Sequence, residues 1–190
     1  MLLRAAAVPP REAREHIAAV VESVVVPGQG VTPIPADWLH VLLAQFGNLP
    51  SEMVPRLSST LAEAMPDLTP APTLRLAGGD VTEERSFHVI VAKVSGEVDE
   101  LVRLARDVGV VVQTRRLYVD RRRFQPALPV ATLDPAAPVE AAAGLLSALE
   151  QYEGPEWTLA GLSLMRGAWG GAEVAGSPVY EEYEVFPFPG

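Results

Sequence analysis

Few side chains in this sequence could move a proton or hold a metal. There are three histidines, His16, His40 and His88, and no cysteine. The missing thiols remove disulfides, zinc-thiolate sites and thiol nucleophiles together. Imidazole, which titrates near neutrality, is therefore the side chain best suited to general acid or base work here. His40 stands in Trp38-Leu39-His40-Val41-Leu42-Leu43-Ala44, and His88 in Ser86-Phe87-His88-Val89-Ile90; both runs read as strands. Alternate residues of a strand share a face, so His40 and Leu42 are predicted to point into one groove. The competing reading of either histidine is a structural strand residue with a hydrogen-bonded ring. His16, beside Glu15 on a predicted helix, is expected to be solvated.

Arg115, Arg116, Arg121, Arg122 and Arg123 form the one basic concentration of the chain. The planar fork of arginine suits phosphate, and Arg122, Arg123 and Gln125 are candidate binding residues; a solvated run balancing nearby acids is the alternative. The acidic Glu181-Glu182-Tyr183-Glu184 stretch alternates across a strand and reads as an exposed edge, not a cation site. Trp38 and Trp157 are expected to pack, and Trp169 to anchor an exposed loop. Phosphate-cradling glycine loops, dinucleotide fingerprints and Gly-x-Ser-x-Gly elbows are all missing, which argues against nucleoside triphosphate binding and gives a serine hydrolase no support. No cofactor and no metal are expected.

The elements that must position these residues follow from periodicity. A strand over Leu2 to Val8 meets Pro9-Pro10, after which Ala13, Ile17, Val20, Val21 and Val24 repeat at helical spacing. The His40 strand turns at Gly47-Asn48-Leu49-Pro50 into a helix carrying Val54, Leu57, Leu61 and Met65, with Ser51 as its cap. Two strands, Thr73 to Ala77 and Phe87 to Val94, are predicted around a Gly78-Gly79-Asp80 turn. A helix through Val98, Leu101, Val102, Ala105 and Val108 should stop at Gly109. A strand near Ala127 to Thr132, a helix over Val139 to Tyr152, and strands over Trp157 to Leu164 and Val179 to Phe186, around a glycine-rich loop, complete the order. This predicts one α+β domain over residues 1–190, with two pseudo-symmetric lobes of mainly antiparallel sheet, helices outside and a groove between central strands.

The 190 residues are long enough to bury a substantial core, and 48% are hydrophobic, which excludes disorder as the main state. The formal net charge of −9 opposes an extended nucleic-acid surface. The longest apolar runs fall short of the roughly 20 residues of a membrane-spanning helix, and Leu2 to Val8 lacks the preceding basic end of a secretory signal. A cytoplasmic protein without membrane contact is the expectation.

The segment from Trp38 to Pro50 resembles the first motif of the two-histidine phosphoesterase superfamily, which includes the bacterial 2'-5' RNA ligases, or RNA 2',3'-cyclic phosphodiesterases. In that family a strand reads His-x-Thr-Leu-Ala-Phe-Leu-Gly. Leu3 to Pro10 resembles its opening strand and proline turn, Arg122 to Val130 occupies the place of its second motif, and the last two strands resemble its closing pair. The resemblance implies one histidine from each lobe on either side of a phosphodiester, with two threonines on the phosphoryl oxygens. This sequence keeps His40 but has Leu42 for the first threonine, Ala127 for the second histidine and Pro129 for the second threonine. Alanine transfers no proton and proline offers neither hydroxyl nor N–H.

What the resemblance implies is thus a family protein with impaired or lost catalysis and a groove for a nucleotide, an RNA end or another small ligand. One alternative is an active cyclic phosphodiesterase using His40 with a substitute such as His88. The other is a structural partner of another protein.

Overall fold

The computed structural model describes residues 1–68, 71–84, 87–120, 123–174 and 177–189. In chain order the elements are β1 (Leu2–Ala7), α1 (Arg11–Val24), β2 (Val31–Pro33), β3 (Val41–Asn48), α2 (Val54–Ala64), β4 (Thr73–Glu84), β5 (Phe87–Gly96), α3 (Val98–Thr114), β6 (Ala127–Leu133), α4 (Ala143–Glu150), β7 (Trp157–Thr158), β8 (Gly161–Val174) and β9 (Ser177–Pro187). They build the expected α+β architecture as two antiparallel sheets, with strand orders β3-β1-β8-β9 and β2-β6-β5-β4-β7. The helices are exchanged between the sheets. α3, which follows a strand of the second sheet, packs on β3 and α2, whereas α1, which follows β1, packs on β6 and α4. Leu57, Leu61, Leu104, Val108, Leu128 and Leu149 thereby enter one continuous core.

Strand alternation divides each sheet into a core face and an inner face. On β1, Leu3, Ala5 and Ala7 join the main core, while Ala6 packs with Met165 and Tyr180 in a separate cluster. On β5, Ile90, Ala92 and Val94 are core residues, and Val89 and Val91 lie on the other side. Pro129 sits within a sheet-interior strand, a position proline ordinarily avoids because it cannot donate to the ladder. The Val94 amide donates to the Pro126 carbonyl, and this phase of the β5–β6 ladder makes Val91 and Pro129 a non-hydrogen-bonded pair; the Pro129 nitrogen points away from β5, toward a side that β2 covers only at 131–133, so no ladder donor is lost.

Several boundaries differ from the sequence expectations. Gly78-Gly79-Asp80 is not a turn: β4 runs through it with a register shift between Leu76 and Gly79, Gly78 taking φ +80°. Leu149 fills the space a Gly79 side chain would need, with its Cβ 2.6 Å from an added Cβ. Helix α3 passes Gly109 and continues to Thr114, because Val112 extends the buried row of Leu101, Leu104, Ala105 and Val108. It ends instead where Arg116 takes φ 58°. Ser51 opens a single 3-10 turn, and the start of α2 has no side-chain cap hydrogen bond. The glycine-rich stretch after Leu164 is largely strand, belonging to the β8–β9 hairpin. Trp38 lies in a 3-10 turn, so β3 begins at Val41, one residue after His40. No helix among the described residues is long and apolar enough to cross a membrane.

Gly96 closes the β5–α3 connection at φ +96°, and a Cβ there would lie 2.6 Å from the Thr73 carbonyl oxygen. Gly96→Ala is expected to cost ~1–3 kcal/mol, from the left-handed backbone and the backbone clash together. Urea unfolding monitored by circular dichroism measures this; an unchanged midpoint would contradict it.

Candidate functional site

The two sheets enclose a cleft of about 210 Å³ whose walls come from β3 on one side and β4, β5 and β6 on the other. Leu42 projects from β3, Val89 and Val91 from β5, and Ala127 and Pro129 from β6. The three motif positions where the sequence departs from its expected pattern are thus brought together, and these five residues give the cleft an apolar part of its lining. Thr82, Glu83, Gln45, Asp120, Arg123 and Gln125 supply its polar lining, and Phe124 an aromatic one. Among the described residues no cluster of histidine, aspartate and glutamate could hold a metal.

Part of this lining arrives on the segment between α3 and β6. Leu117 and Val119 are buried, and the Asp120 amide donates to the Gln45 carbonyl at 2.8 Å, fastening the segment to β3. Tyr118 lies over Gly47, where a Cβ would come within 3.3 Å of its ring. The segment then delivers Asp120, Arg123, Phe124 and Gln125 to the cleft. Sequence reading found Arg123 and Gln125 but missed Asp120, Thr82, Val89 and Val91. The hairpin alternation would have grouped the last three, had β4 not been read as broken at its glycines.

The three described arginines of the concentration, Arg115, Arg116 and Arg123, do not share one surface. Arg115 turns away, its guanidinium 3.0 Å from Glu63 on α2 while its carbonyl accepts from Arg56. Arg116 holds the helix exit and does not line the cleft. Arg121 and Arg122 lie outside the described residues, and the side chain of Trp169 is likewise outside them. Arg123 lines the cleft together with Glu83 and Asp120.

His40 stands immediately before β3, beside and not among the residues that line the cleft. Its Nδ1 is 2.8 Å from the Trp38 carbonyl oxygen and its Nε2 is 3.2 Å from Arg4 Nη1. The Arg4 guanidinium lies 3.2 Å above the centre of the Tyr180 ring, whose plane meets the imidazole edge-on at a centroid distance of 6.0 Å. Burial, and secondarily the positive charge of Arg4, lower the His40 pKa from 6.5 to about 4. Nothing in the local sequence signals these partners, which come from β1 and β9.

His88 does not meet His40 across the cleft. It alternates with the cleft residues Val89 and Val91, pairs with core residue Leu133, and is absent from the lining. His88 therefore does not line the cleft. His16 is exposed, as expected, yet its Nδ1 lies 2.9 Å from the Tyr152 hydroxyl. Burial pushes the Tyr152 phenol up to about 12, so it stays a neutral hydroxyl in this hydrogen bond. The acidic stretch of β9, an edge strand, is used in hydrogen bonds: Glu182 accepts from Ser163, Glu184 from Ser58 and Glu181 from Arg166.

No family model and no curated protein matches the sequence. Solved structures do match in fold. TT0787 of Thermus thermophilus is 24% identical with a TM-score of 0.74, covering 99% of this chain and 98% of its own. E. coli LigT, crystallised with 3'-AMP, is 20% identical with a TM-score of 0.70, covering 98% of this chain and 97% of its own. The MHV ns2 PDE domain is 14% identical with a TM-score of 0.58, covering 86% of this chain and 96% of its own. The resemblance in the strands around His40 and Ala127 thus extends to the architecture, and the chain has the fold of TT0787, LigT and the MHV ns2 PDE domain.

Proposed function

We propose that this protein is a ligand-binding member of the LigT fold in which phosphodiester chemistry has been lost. The observation that carries this reading is the wall formed by Ala127 and Pro129 facing the same cleft as Leu42. A phosphodiester placed there would meet no hydroxyl and no proton donor at those positions. General acid or base assistance contributes ~10²–10⁴-fold, so the missing partner alone removes most of the acceleration. The Glu83 carboxylate among the lining residues also disfavours an anionic phosphodiester.

The cleft remains a place to bind. Its mixed apolar and polar lining suits a ligand with a small apolar body, such as a nucleobase or another single ring, better than one held by its phosphate. At about 210 Å³ it is below the ~300 Å³ of ordinary ligand pockets, so it takes one such group and leaves the rest of the ligand outside. A nucleotide or RNA end entering base-first fits the same description. The cytoplasm, where such ligands are met, is the compartment this reading implies.

Purified protein incubated with 2',3'-cyclic nucleotides is expected to open none of them above the buffer rate. Saturable binding of a nucleoside or cyclic nucleotide, read by calorimetry, should be abolished by Ala127→Trp, which fills the cleft. Ring opening that disappears in His40→Ala would refute the loss of catalysis, and the absence of any binding would refute the cleft's role.

The state of His40 gives a second expectation. Its folded pKa of about 4 lies below the ordinary 6.5, so between those values the unfolded chain binds a proton that the folded chain does not. Stability therefore decreases as pH falls from 6.5 to about 4, and the contribution levels off below that. Denaturant midpoints measured across this window should fall for the natural protein, and fall less steeply for His40→Asn. Equal slopes would show that His40 does not carry the linkage.

A further inference from the structure

We infer that Arg4 is a positioning residue that withdraws His40 from proton transfer and makes it the end of a stack, Tyr180–Arg4–His40, spanning β9, β1 and the start of β3. Both ring nitrogens of His40 face groups whose hydrogen-bonding role is fixed. The Trp38 carbonyl 2.8 Å from Nδ1 can only accept, so Nδ1 carries the proton. The Arg4 guanidinium 3.2 Å from Nε2 can only donate, so Nε2 presents its lone pair and that lone pair is engaged. No nitrogen is left to take a proton from a water or hydroxyl.

The guanidinium cannot readily swing away. Its Cζ lies 3.2 Å from the centre of the Tyr180 ring, and Tyr180 is itself 5% exposed and packed with Ala6 and Met165. A guanidinium over a partly desolvated aromatic face is held by ~0.5–2 kcal/mol. Alternation along β1 sends Arg4 to the inner face with Ala6, while Leu3 and Ala5 enter the core, so the main-chain register fixes which residue meets His40. Arg4, Tyr180 and the Trp38 carbonyl are the polar and aromatic groups described against the ring.

This inference is separate from the loss of catalysis proposed above. That reading rests on what the Ala127–Pro129 wall lacks, and this one on what holds His40. One consequence is specific: placing a histidine at the second motif, Ala127→His, does not rebuild a relay while Arg4 is present.

The test is long-range ¹H–¹⁵N correlation of protein labelled at histidine, with His16 and His88 as internal references. His40 is expected in the Nδ1–H form with an unprotonated Nε2, and to titrate near 4. In Arg4→Met its midpoint should move upward, staying below 6.5 because burial is the larger cause, and modification of His40 by diethyl pyrocarbonate should accelerate about tenfold, the loss of one charge-assisted hydrogen bond. Arg4→Lys, which keeps the charge without the flat fork, should fall between. A purely structural Arg4 would shift stability and leave tautomer and midpoint alone. An Nε2–H tautomer in the natural protein, readable even if the variants fail to fold, would overturn the inference, as would an unmoved midpoint in folded Arg4→Met.

Discussion

The pleat of the β-strand is the constraint on which this structure depends. Every strand that borders the cleft must send one row of side chains into the common core and the other toward the inner space. β5 satisfies this with Ile90, Ala92 and Val94 on the core side and Val89 and Val91 on the other. β6 satisfies it with Leu128 and Val130 in the core and Ala127 and Pro129 in the cleft. The exchange of α1 and α3 between the sheets then ties both core faces into a single apolar body.

This separation means that the inner row can change without disturbing the fold. Replacing a cleft residue leaves the core row untouched, so the cost of Ala127 or Leu42 does not fall on the buried leucines. Pro129 is tolerated in the same way, because its nitrogen points away from β5 and past the stretch that β2 covers. The residues that supply most stability and those that would supply catalysis are neighbours in sequence and lie on opposite sides of the sheet.

Electrostatics at His40 follow from the same geometry. Arg4 projects from the inner face of β1, and burying a cation beside an imidazole is tolerable only if the imidazole stays neutral. Burial and Arg4 both lower the ring's proton affinity, while the Trp38 carbonyl opposes them more weakly. The acidic carboxylates of β9 are occupied locally by Ser58, Ser163 and Arg166, so the negative net charge of the chain does not translate into a cation site along that edge.

The sequence by itself determined the fold class, most of the element order and the positions at which the cleft is chemically bare, because apolar periodicity and residue identity are local properties. Leu42, Ala127, Pro129 and Gln125 were readable as groove residues from alternation and the resemblance together, and they line it. Boundaries were less legible where glycine was taken as punctuation: Gly109 lies inside α3 and Gly78-Gly79 inside β4, since burial of Val112 and the packing of Leu149 over Gly79 outweigh local propensity. Only the tertiary structure decided what His40 touches and where His88 points. Arg4 is 36 residues from His40 and Tyr180 is farther still, and their meeting depends on strand order and register, which no local pattern encodes.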